Sequence, residues 1–255
     1  MSRPALDSGR RGRSEVSNDP PVTGGAVSKP RALVVEDSPE FMMICRHLLE
    51  KEGFEVLAAG DGAEAVERAQ KQRPDIAILD LGLPDVDGIE VCRQIRQFTD
   101  AYIIMVTGRT DEVDKVVGLS VGADDYVTKP FSPRELAARI QAMRRRPRAT
   151  TQARREAVRE YGELRIDLEV REVSRAGEVL ELTKIEFDLL DLLSSAPRRT
   201  FTRRKLLEDV WGDNFFGDDH IIDVHVGNLR RKLGESASAP RHIRTLRGVG
   251  YRFEP

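Results

Sequence analysis

Between Arg31 and Arg146, five short apolar runs alternate with five amphipathic stretches in which apolar residues recur every three or four positions. Apolar runs of this length, bounded by Gly, Pro or Asp, predict buried strands, and the amphipathic stretches predict helices. This alternation is typical of an α/β domain with a five-stranded, doubly wound parallel sheet. The predicted strands are Ala32–Val35, Val56–Ala59, Ile76–Leu79, Tyr102–Val106 and Asp125–Val127, and the predicted helices are Glu40–Glu52, Ala63–Lys71, Gly88–Gln97, Glu112–Val121 and Pro133–Met143.

A different pattern begins at Gly162. Three short runs predict an antiparallel meander, three amphipathic stretches predict helices, and a glycine-containing hairpin follows. At the first of these helices, Thr183 and Glu186 have the spacing of a capping box. Three helices followed by a hairpin predict a winged helix-turn-helix domain. The predicted strands are Leu164–Leu168, Glu172–Ser174 and Val179–Leu182, the second and third helices are Arg203–Val210 and Asp219–Leu233, and the hairpin strands are Ile243–Arg247 and Tyr251–Phe253.

The chain is therefore predicted to hold two domains. Residues 1–30 are rich in Arg, Pro and Gly, contain no apolar stretch and are expected to form a disordered tail. The α/β domain covers 31–145, an Arg-rich linker covers 146–160, and the winged helix covers 161–255. Pro147 ends the preceding helix, and Arg154–Arg159 are expected to be partly helical.

Composition narrows the cellular setting. Charged residues make up 33% of the chain, and no apolar run approaches the roughly 20 residues of a membrane span. The first residues lack the apolar core of a signal peptide. We expect a cytoplasmic protein without a membrane partner, with Cys45 and Cys92 as reduced, half-buried thiols.

Polar side chains follow the predicted strands of the first domain at their carboxyl ends. Glu36 and Asp37 follow the first strand, Asp80 the third, Thr107 the fourth and Lys129 the fifth. Carboxyl ends of parallel strands meet at one edge of the sheet, so these groups are expected to converge. Converging carboxylates repel one another unless a hard cation neutralises them, and oxygen ligands of this kind favour Mg²⁺.

A carboxylate in such a pocket has the chemistry of a phosphoryl acceptor. It attacks phosphorus as a nucleophile, and the transfer then needs charge neutralisation and alignment rather than acid–base help. A lone Asp at a strand end is usually a turn former or helix cap, and a lone Lys-Pro is usually surface. Asp80 becomes a candidate nucleophile because the other four residues accompany it.

Residues 31–145 resemble the flavodoxin-like receiver domain of response regulators. The resemblance lies in Val34-Val35-Glu36-Asp37, in Leu79–Gly88, in Val106-Thr107 and in Gly122–Phe131. It implies that Asp80 is the phosphoacceptor, with a sensor histidine kinase as donor. It further implies that Mg²⁺ is bound by Glu36, Asp37, Asp80 and the Gly82 carbonyl, that Lys129 and Thr107 contact the phosphoryl group, and that Thr107 and Tyr126 form a switch pair. Gly82 departs from the family, which often has a larger side chain there that shields the acyl phosphate from water.

The last predicted helix and the hairpin carry the DNA-binding signal. Residues 225–255 hold seven Arg or Lys against two Glu, and a basic helix beside a basic hairpin suits the major groove and its flanking phosphates. Taken alone, a basic helix end is more often a solvated C-terminus. The side chains expected to lie away from the helix core are His225, Asn228, Arg230, Arg231 and Lys232, and those expected in the wing are Thr245 and Arg247.

Residues 162–255 resemble the effector domain of OmpR/PhoB-type regulators. The resemblance lies in Leu182–Phe187, Arg204–Leu207, Val210–Gly212, Leu229–Leu233 and Arg247–Phe253, with Val224–Val226 added. It implies binding to double-stranded promoter DNA at tandem repeats, a loop at Trp211–Asp218 that contacts RNA polymerase, and homodimers formed on phosphorylation. The receivers would pair through ion pairs of Lys115 with Glu135 and of Asp125 with Arg139. Gly227 and Asn228 depart from the Ser, Arg or Lys common in this family.

Two other functions compete with a phosphorylation-activated transcription regulator. Phosphatases also form an acyl phosphate on Asp, but they usually carry a second catalytic Asp where this chain has Gly82. A constitutive DNA-binding regulator with an unused receiver pocket is the second alternative. We do not expect an enzyme beyond the receiver's assistance to its own phosphorylation and dephosphorylation.

Overall fold

The structure is a computed structural model that describes residues 29–108, 112–144, 157–212 and 218–255. Its first domain contains five strands and five helices in strict alternation. All five strands are parallel, in the order β2-β1-β3-β4-β5, so the predicted doubly wound sheet is confirmed. The elements are β1 Arg31–Val35, α1 Pro39–Lys51, β2 Glu55–Ala59, α2 Gly62–Gln72, β3 Ile76–Asp80, α3 Gly88–Arg96, β4 Tyr102–Thr107, α4 Glu112–Ser120, β5 Asp125–Thr128 and α5 Pro133–Arg144.

Local sequence fixes where these helices begin. α1 starts at Pro39, whose fixed φ suits the first turn. The Asp61 side chain accepts a hydrogen bond of 2.8 Å from the Glu64 backbone N–H and so caps α2. Asp87 caps α3 in the same way, through the Ile89 N–H at 2.9 Å. The helices therefore start immediately after the strand-end loops that hold the polar residues.

The second domain contains two small antiparallel sheets around three helices. The first sheet has the order β6-β7-β8-β9 and the second β10-β12-β11, so the wing strand β12 also pairs with a strand before α7. The predicted winged helix-turn-helix is confirmed. The elements are β6 Val158–Tyr161, β7 Leu164–Asp167, β8 Glu172–Arg175, β9 Glu178–Leu180, α6 Lys184–Ser195, β10 Thr200–Thr202, α7 Arg203–Val210, α8 His220–Lys232, β11 Ile243–Leu246 and β12 Gly250–Phe253.

Two strands of this domain were not predicted, and one predicted helical segment is wrong at its end. Residues 158–160 belong to β6, whereas the sequence assigns them to the linker and makes Arg159 helical. Arg159 is buried instead, because its guanidinium reaches across to the Asp191 carbonyl and the Ser194 hydroxyl at 2.8 and 2.7 Å. β10 has only three residues, too few for a sequence period to emerge. Residues 145–156 and the tail up to residue 28 lie outside the described residues.

The buried core explains the elements that were predicted well. Strands β3 and β4 are buried along their whole length, as expected for the centre of a sheet covered on both faces. Cys45 and Cys92, expected to be half-buried, are fully buried, and burial raises the pKa of each thiol to about 12. In the parts of the chain that the structure describes, no helix is both long and apolar enough to cross a membrane.

The two domains pack directly on each other. Helix α8 of the winged-helix domain contacts α4 of the α/β domain. The Asn228 side-chain amide donates 2.9 Å to the Leu119 carbonyl, and His225 Nε2 lies 3.1 Å from the Asp124 carbonyl. At a separate point, the Lys184 ammonium donates to the Met143 carbonyl. The winged helix is therefore held against the α4–β5 side of the first domain.

Candidate functional site

The carboxyl ends of β1 and β3 bring three carboxylates together. Ligand oxygens of Glu36, Asp37 and Asp80 all lie within 4.8 Å of one another. Glu36 and Asp80 are buried, and Asp37 is exposed. The start of α3 lies close against the Asp80 backbone, because a Cβ on Gly88 would overlap the Asp80 carbonyl oxygen. The predicted convergence of these three side chains is present in the structure.

Lys129 joins the cluster from the end of β5. Its ammonium nitrogen lies 2.7 Å from Glu36 Oε2 and 2.8 Å from Asp80 Oδ2, and the Lys129–Pro130 peptide that follows is cis. Burial raises the pKa of Glu36, and repulsion from Asp80 adds to this against the opposing pull of Lys129. Burial alone would lower the pKa of Lys129, but the hydrogen bonds and charges of Asp80 and Glu36 outweigh it and raise that pKa. A cation shared between two carboxylates relieves part of their repulsion.

Thr107 and Tyr126 lie on the neighbouring strands. Thr107 ends β4 and is buried, one residue beyond the pair Asp80–Val106 in the sheet register. Its carbonyl accepts a 2.7 Å hydrogen bond from the Lys129 backbone N–H. Tyr126 is half-buried on β5, with the Lys115 ammonium 4.9 Å from its ring centroid. Thr107 is thus placed at the pocket edge, and Tyr126 lies farther along the sheet.

Gly82 forms the open wall of this pocket. Its backbone N–H donates 3.1 Å to Asp80 Oδ1, and the residue is exposed. A Cβ at this position would lie 3.8 and 3.9 Å from the two Asp80 carboxylate oxygens, at ordinary contact distance. A Cβ therefore fits at this position, next to the acceptor carboxylate.

The donor set fits a hard divalent cation. Three carboxylates converge at one end of the sheet, two of them are buried, and one lysine does not balance their charge. Oxygen-only ligands with an exposed side suit Mg²⁺, which keeps several waters and binds through few carboxylates. A second group with close oxygen and nitrogen ligands, Asp218, Asp219 and His220, is fully exposed and lacks this buried support.

The helix predicted to read DNA is not free. His225, Asn228 and Arg230 were expected on an open face, and this expectation is wrong for the structure, because all three are buried. His225 and Asn228 face the α/β domain through the Asp124 and Leu119 carbonyls.

Arg230 is buried for a different reason, within its own domain. Its guanidinium donates to the Ile243 carbonyl at 2.6 Å and to the Thr245 hydroxyl at 2.8 Å, which ties α8 to the wing. Lys232 is half-buried and forms a 2.6 Å ion pair with Glu186. Arg231 and Arg247 are exposed, and their contact with DNA phosphates stays a prediction.

The residues predicted to pair two receivers are engaged within one chain. Arg139 is buried, and its guanidinium lies 2.5 Å from Asp125 and 2.9 Å from Glu135. Asp125 is completely buried; burial raises its pKa, against the opposing charge and hydrogen bond of Arg139. Lys115 lies over the Tyr126 ring. The predicted Asp125–Arg139 pair therefore exists here as an intramolecular contact. The loop predicted to meet RNA polymerase lies mostly in residues 213–217, outside the described residues.

Sequence reasoning missed the network that prepares the interdomain contact. Arg96 of α3 forms an ion pair with the buried Asp124 carboxylate and donates to the carbonyls of Gly122 and Ala101. Asp124 Oδ2 also accepts 2.9 Å from the Ile103 N–H. This fixes the loop whose Asp124 carbonyl meets His225. A signal was present in the unusual Asn228 of α8, but its partner is a backbone carbonyl, which a sequence does not identify.

Comparison with known proteins agrees with this two-domain fold. The family model described as Response regulator receiver domain matches residues 32–141, and the one described as Transcriptional regulatory protein, C terminal, matches residues 177–253. The chain belongs to the OmpR/PhoB family of two-component response regulators: DNA-binding transcription regulators, rather than classical enzymes, that are controlled by phosphorylation. The first domain is thus a receiver domain and the second its effector domain.

Individual relatives span both domains. The chain is 42% identical to the DNA-binding response regulator MtrA of Mycolicibacterium smegmatis over 89% of this chain and 98% of that protein. It is 41% identical to the alkaline phosphatase synthesis transcriptional regulatory protein PhoP of Bacillus subtilis, over 88% and 96%. A solved structure of a RitR mutant superposes with a TM-score of 0.72 at 29% identity, covering 89% of this chain and 99% of that one.

Proposed function

We propose that this regulator accepts a phosphoryl group on Asp80 from a sensor histidine kinase, and that phosphorylation releases helix α8 for promoter DNA. The observation that carries the proposal is the Lys129 ammonium held between Glu36 and Asp80 at 2.7 and 2.8 Å. A buried cation beside a converging carboxylate cluster is the arrangement that aligns and neutralises a transferred phosphoryl group.

In the proposed reaction, an Asp80 carboxylate oxygen attacks the phosphorus of a phosphohistidine. The new P–O bond forms as the P–N bond breaks, the bonding pair stays on the ring nitrogen of the donor histidine, and that nitrogen takes up a proton from solvent. Lys129 exchanges its contact with Asp80 for a phosphoryl oxygen, and the Thr107 hydroxyl donates to another. Mg²⁺ bound by Glu36, Asp37, Asp80 and the Gly82 carbonyl would neutralise negative charge on the phosphoryl oxygens. The same residues would assist hydrolysis of the acyl phosphate.

The switch would act through the contact between the domains. His225 and Asn228 hydrogen-bond to carbonyls that flank the loop between α4 and β5, and this loop leads into the strand that carries Tyr126. Movement of Thr107 towards the phosphoryl group, with Tyr126 following it, would change this surface. Because a helix face packed on protein cannot also lie in a DNA groove, we infer that the packed arrangement is the inactive form.

Opening would expose both proposed interaction surfaces. On α8, His225, Asn228, Arg231 and Lys232 would face DNA, with Arg230 holding the wing that carries Thr245 and Arg247. The freed α4–β5–α5 face would then pair with a second copy through Lys115, Asp125, Glu135 and Arg139, which suits tandem DNA repeats.

The loop at Trp211–Asp218 is proposed to contact RNA polymerase, as the family resemblance implies. Such a regulator acts where promoter DNA is, and we expect the chain in the cytoplasm.

The test is intact-mass analysis after incubation with Mg²⁺ and acetyl phosphate, with wild type beside Asp80→Asn. A gain of one phosphoryl mass in wild type alone, followed by tighter DNA binding, is the expected result. No gain in folded wild type would overturn the proposal and favour a regulator that binds DNA constitutively.

A further inference from the structure

The Lys129 ammonium has a third neighbour besides its two carboxylates. Its nitrogen lies over the Phe41 ring, 4.3 Å from the ring centroid. This is well within the roughly 6 Å over which an ammonium is attracted to the negative face of an aromatic ring. The Lys129 side chain is 15% exposed, so the contact is largely shielded from water. A cation–π interaction is stronger in such a desolvated site than at an exposed one.

The Phe41 ring is itself held in place. It belongs to the first turn of α1, which begins at Pro39, and it packs against Phe131 with ring centroids 5.8 Å apart and planes tilted by 44°. Phe131 follows Lys129 by two residues. The two rings therefore join the start of α1 to the loop after β5, beside the Lys129 ammonium.

We propose that Phe41 is a positioning residue for phosphoryl transfer: its ring face holds the Lys129 ammonium at the pocket while that ammonium changes partners. The proposal rests on the proposed function, in which Asp80 is the acceptor.

The physical reason lies in what Lys129 loses during the transfer. Before the reaction, two carboxylates fix its ammonium. When Asp80 forms the acyl phosphate, its carboxylate loses the negative charge that held Lys129, and the ammonium has to turn to the phosphoryl oxygens. A neutral ring attracts the cation without competing with either anion, so it supports the ammonium in both arrangements.

The alternative is a purely structural role, in which Phe41 only fills space between α1 and the loop after β5. Phe41→Leu separates the two roles in part, because leucine keeps apolar volume and loses the ring face. Phe41→Tyr keeps the ring face. Met43→Leu is the matched control, since Met43 is on the same helix and is 68% exposed.

A sharper test of the ring face replaces Phe41 with mono-, di- and trifluorinated phenylalanine. Fluorine withdraws electron density from the ring face and weakens the cation–π attraction, while the shape of the ring hardly changes. The rate of phosphorylation by acetyl phosphate with Mg²⁺ is measured by intact mass on the full chain, and thermal unfolding is recorded for each variant.

We expect the rate to fall by about three- to tenfold in Phe41→Leu, to stay near wild type in Phe41→Tyr and Met43→Leu, and to decline stepwise with each added fluorine. Equal phosphorylation rates across the fluorinated series, in variants that unfold at the same temperature as wild type, would overturn the role of Phe41. Asp80 would remain the acceptor in that case. If wild type itself is not phosphorylated, the proposed function fails instead, so the two failures are distinguishable.

Discussion

The receiver and effector domains present their polar residues in opposite ways. In the receiver, Glu36, Asp80 and Lys129 converge at the open end of one sheet, ready to meet a small group from outside. In the effector, His225 and Asn228 are turned inward onto the receiver backbone. The first site is assembled by its own domain, and the second is covered by its neighbour. Under the proposed function, this arrangement leaves the receiver pocket open to a phosphodonor and keeps α8 away from DNA.

The largest effect is expected at the input site. Lys129→Gln removes the cation between Glu36 and Asp80 and leaves nothing to align the phosphoryl oxygens from that side. We predict that the rate of phosphorylation by acetyl phosphate falls about 10²–10³-fold, as when a charge-stabilising donor is lost from an active site. Lys71→Gln, at an exposed lysine of α2, is the control. A Lys129→Gln variant that is phosphorylated as fast as wild type would show that the pocket works without this ammonium.

The output site should respond to pH through His225. Burial lowers its pKa below the ordinary value of 6.5, against the opposing charges of Asp124 and Glu186, while Arg96 adds to the lowering. In the opened form the ring regains its ordinary pKa. Both forms are neutral above pH 6.5, where the closed contact has its full strength. Below that pH the open form binds the proton first, so closure weakens, by about tenfold for each unit of pKa difference.

Small-angle scattering of the unphosphorylated chain between pH 7.5 and 5.5 checks this at roughly constant ionic strength. The radius of gyration should rise as pH falls in wild type and stay constant in His225→Phe, which keeps a ring beside Trp211. His242→Phe is the matched control, because burial also lowers the pKa of His242, but its ring packs on Phe253 of its own domain and not on the receiver. An identical pH response in His225→Phe would exclude His225 as its source.

The same contrast explains what the sequence could predict. The pocket follows from topology, because strand ends of a parallel sheet meet at one edge, so the positions of Asp80 and Lys129 could be read from where apolar runs stop. The covered face of α8 depends on how two separately folded domains dock. His225 and Asn228 bond to backbone carbonyls, and every residue has a carbonyl, so no residue type in the receiver marks the contact.

Two arginines that the sequence misplaces, one in its secondary structure and one in its role, have the same explanation. The linker pattern predicts partly helical residues up to Arg159, yet Arg159 lies in β6, which pairs with β7, and Asp191 and Ser194 of α6 bind its guanidinium. Arg230 was assigned to DNA from its charge, yet it holds the wing. Tertiary partners decided the role of both arginines, whereas the strongly periodic helices needed no such information.

A smaller effect is expected at the wall of the receiver pocket. Gly82→Met would place a Cβ at ordinary contact distance from the Asp80 carboxylate, and we expect the longer side chain to hinder water from reaching the acyl phosphate. We predict a several-fold longer lifetime of the phosphorylated form after removal of the donor, followed by intact mass. Gly60→Ala, at a glycine with open space around its Cβ position, should leave the lifetime unchanged. An unaltered lifetime in Gly82→Met would mean that water reaches the phosphoryl group from another side.

The smallest effect concerns the exposed side of α8. Gly227 lies inside that helix, and a Cβ there would meet nothing within 4 Å. Gly227→Ala should therefore stabilise the effector domain by about 0.5–1 kcal/mol, since alanine loses less backbone entropy on folding. Gly250→Ala is the contrasting variant, because its Cβ would overlap the Phe201 carbonyl, and we expect it to destabilise the domain by about 1–3 kcal/mol.

Denaturant unfolding followed by fluorescence measures both variants, because the one Trp of the chain, Trp211, lies in the effector domain. If Gly227→Ala raises stability and leaves DNA affinity intact, the glycine is a departure without a binding role. If Gly227→Ala raises stability but weakens DNA binding, the missing Cβ is what lets α8 approach DNA closely. The helix stability lost at Gly227 would then be the cost of that close approach. A loss of stability in Gly227→Ala would contradict the open space around this position in the closed arrangement.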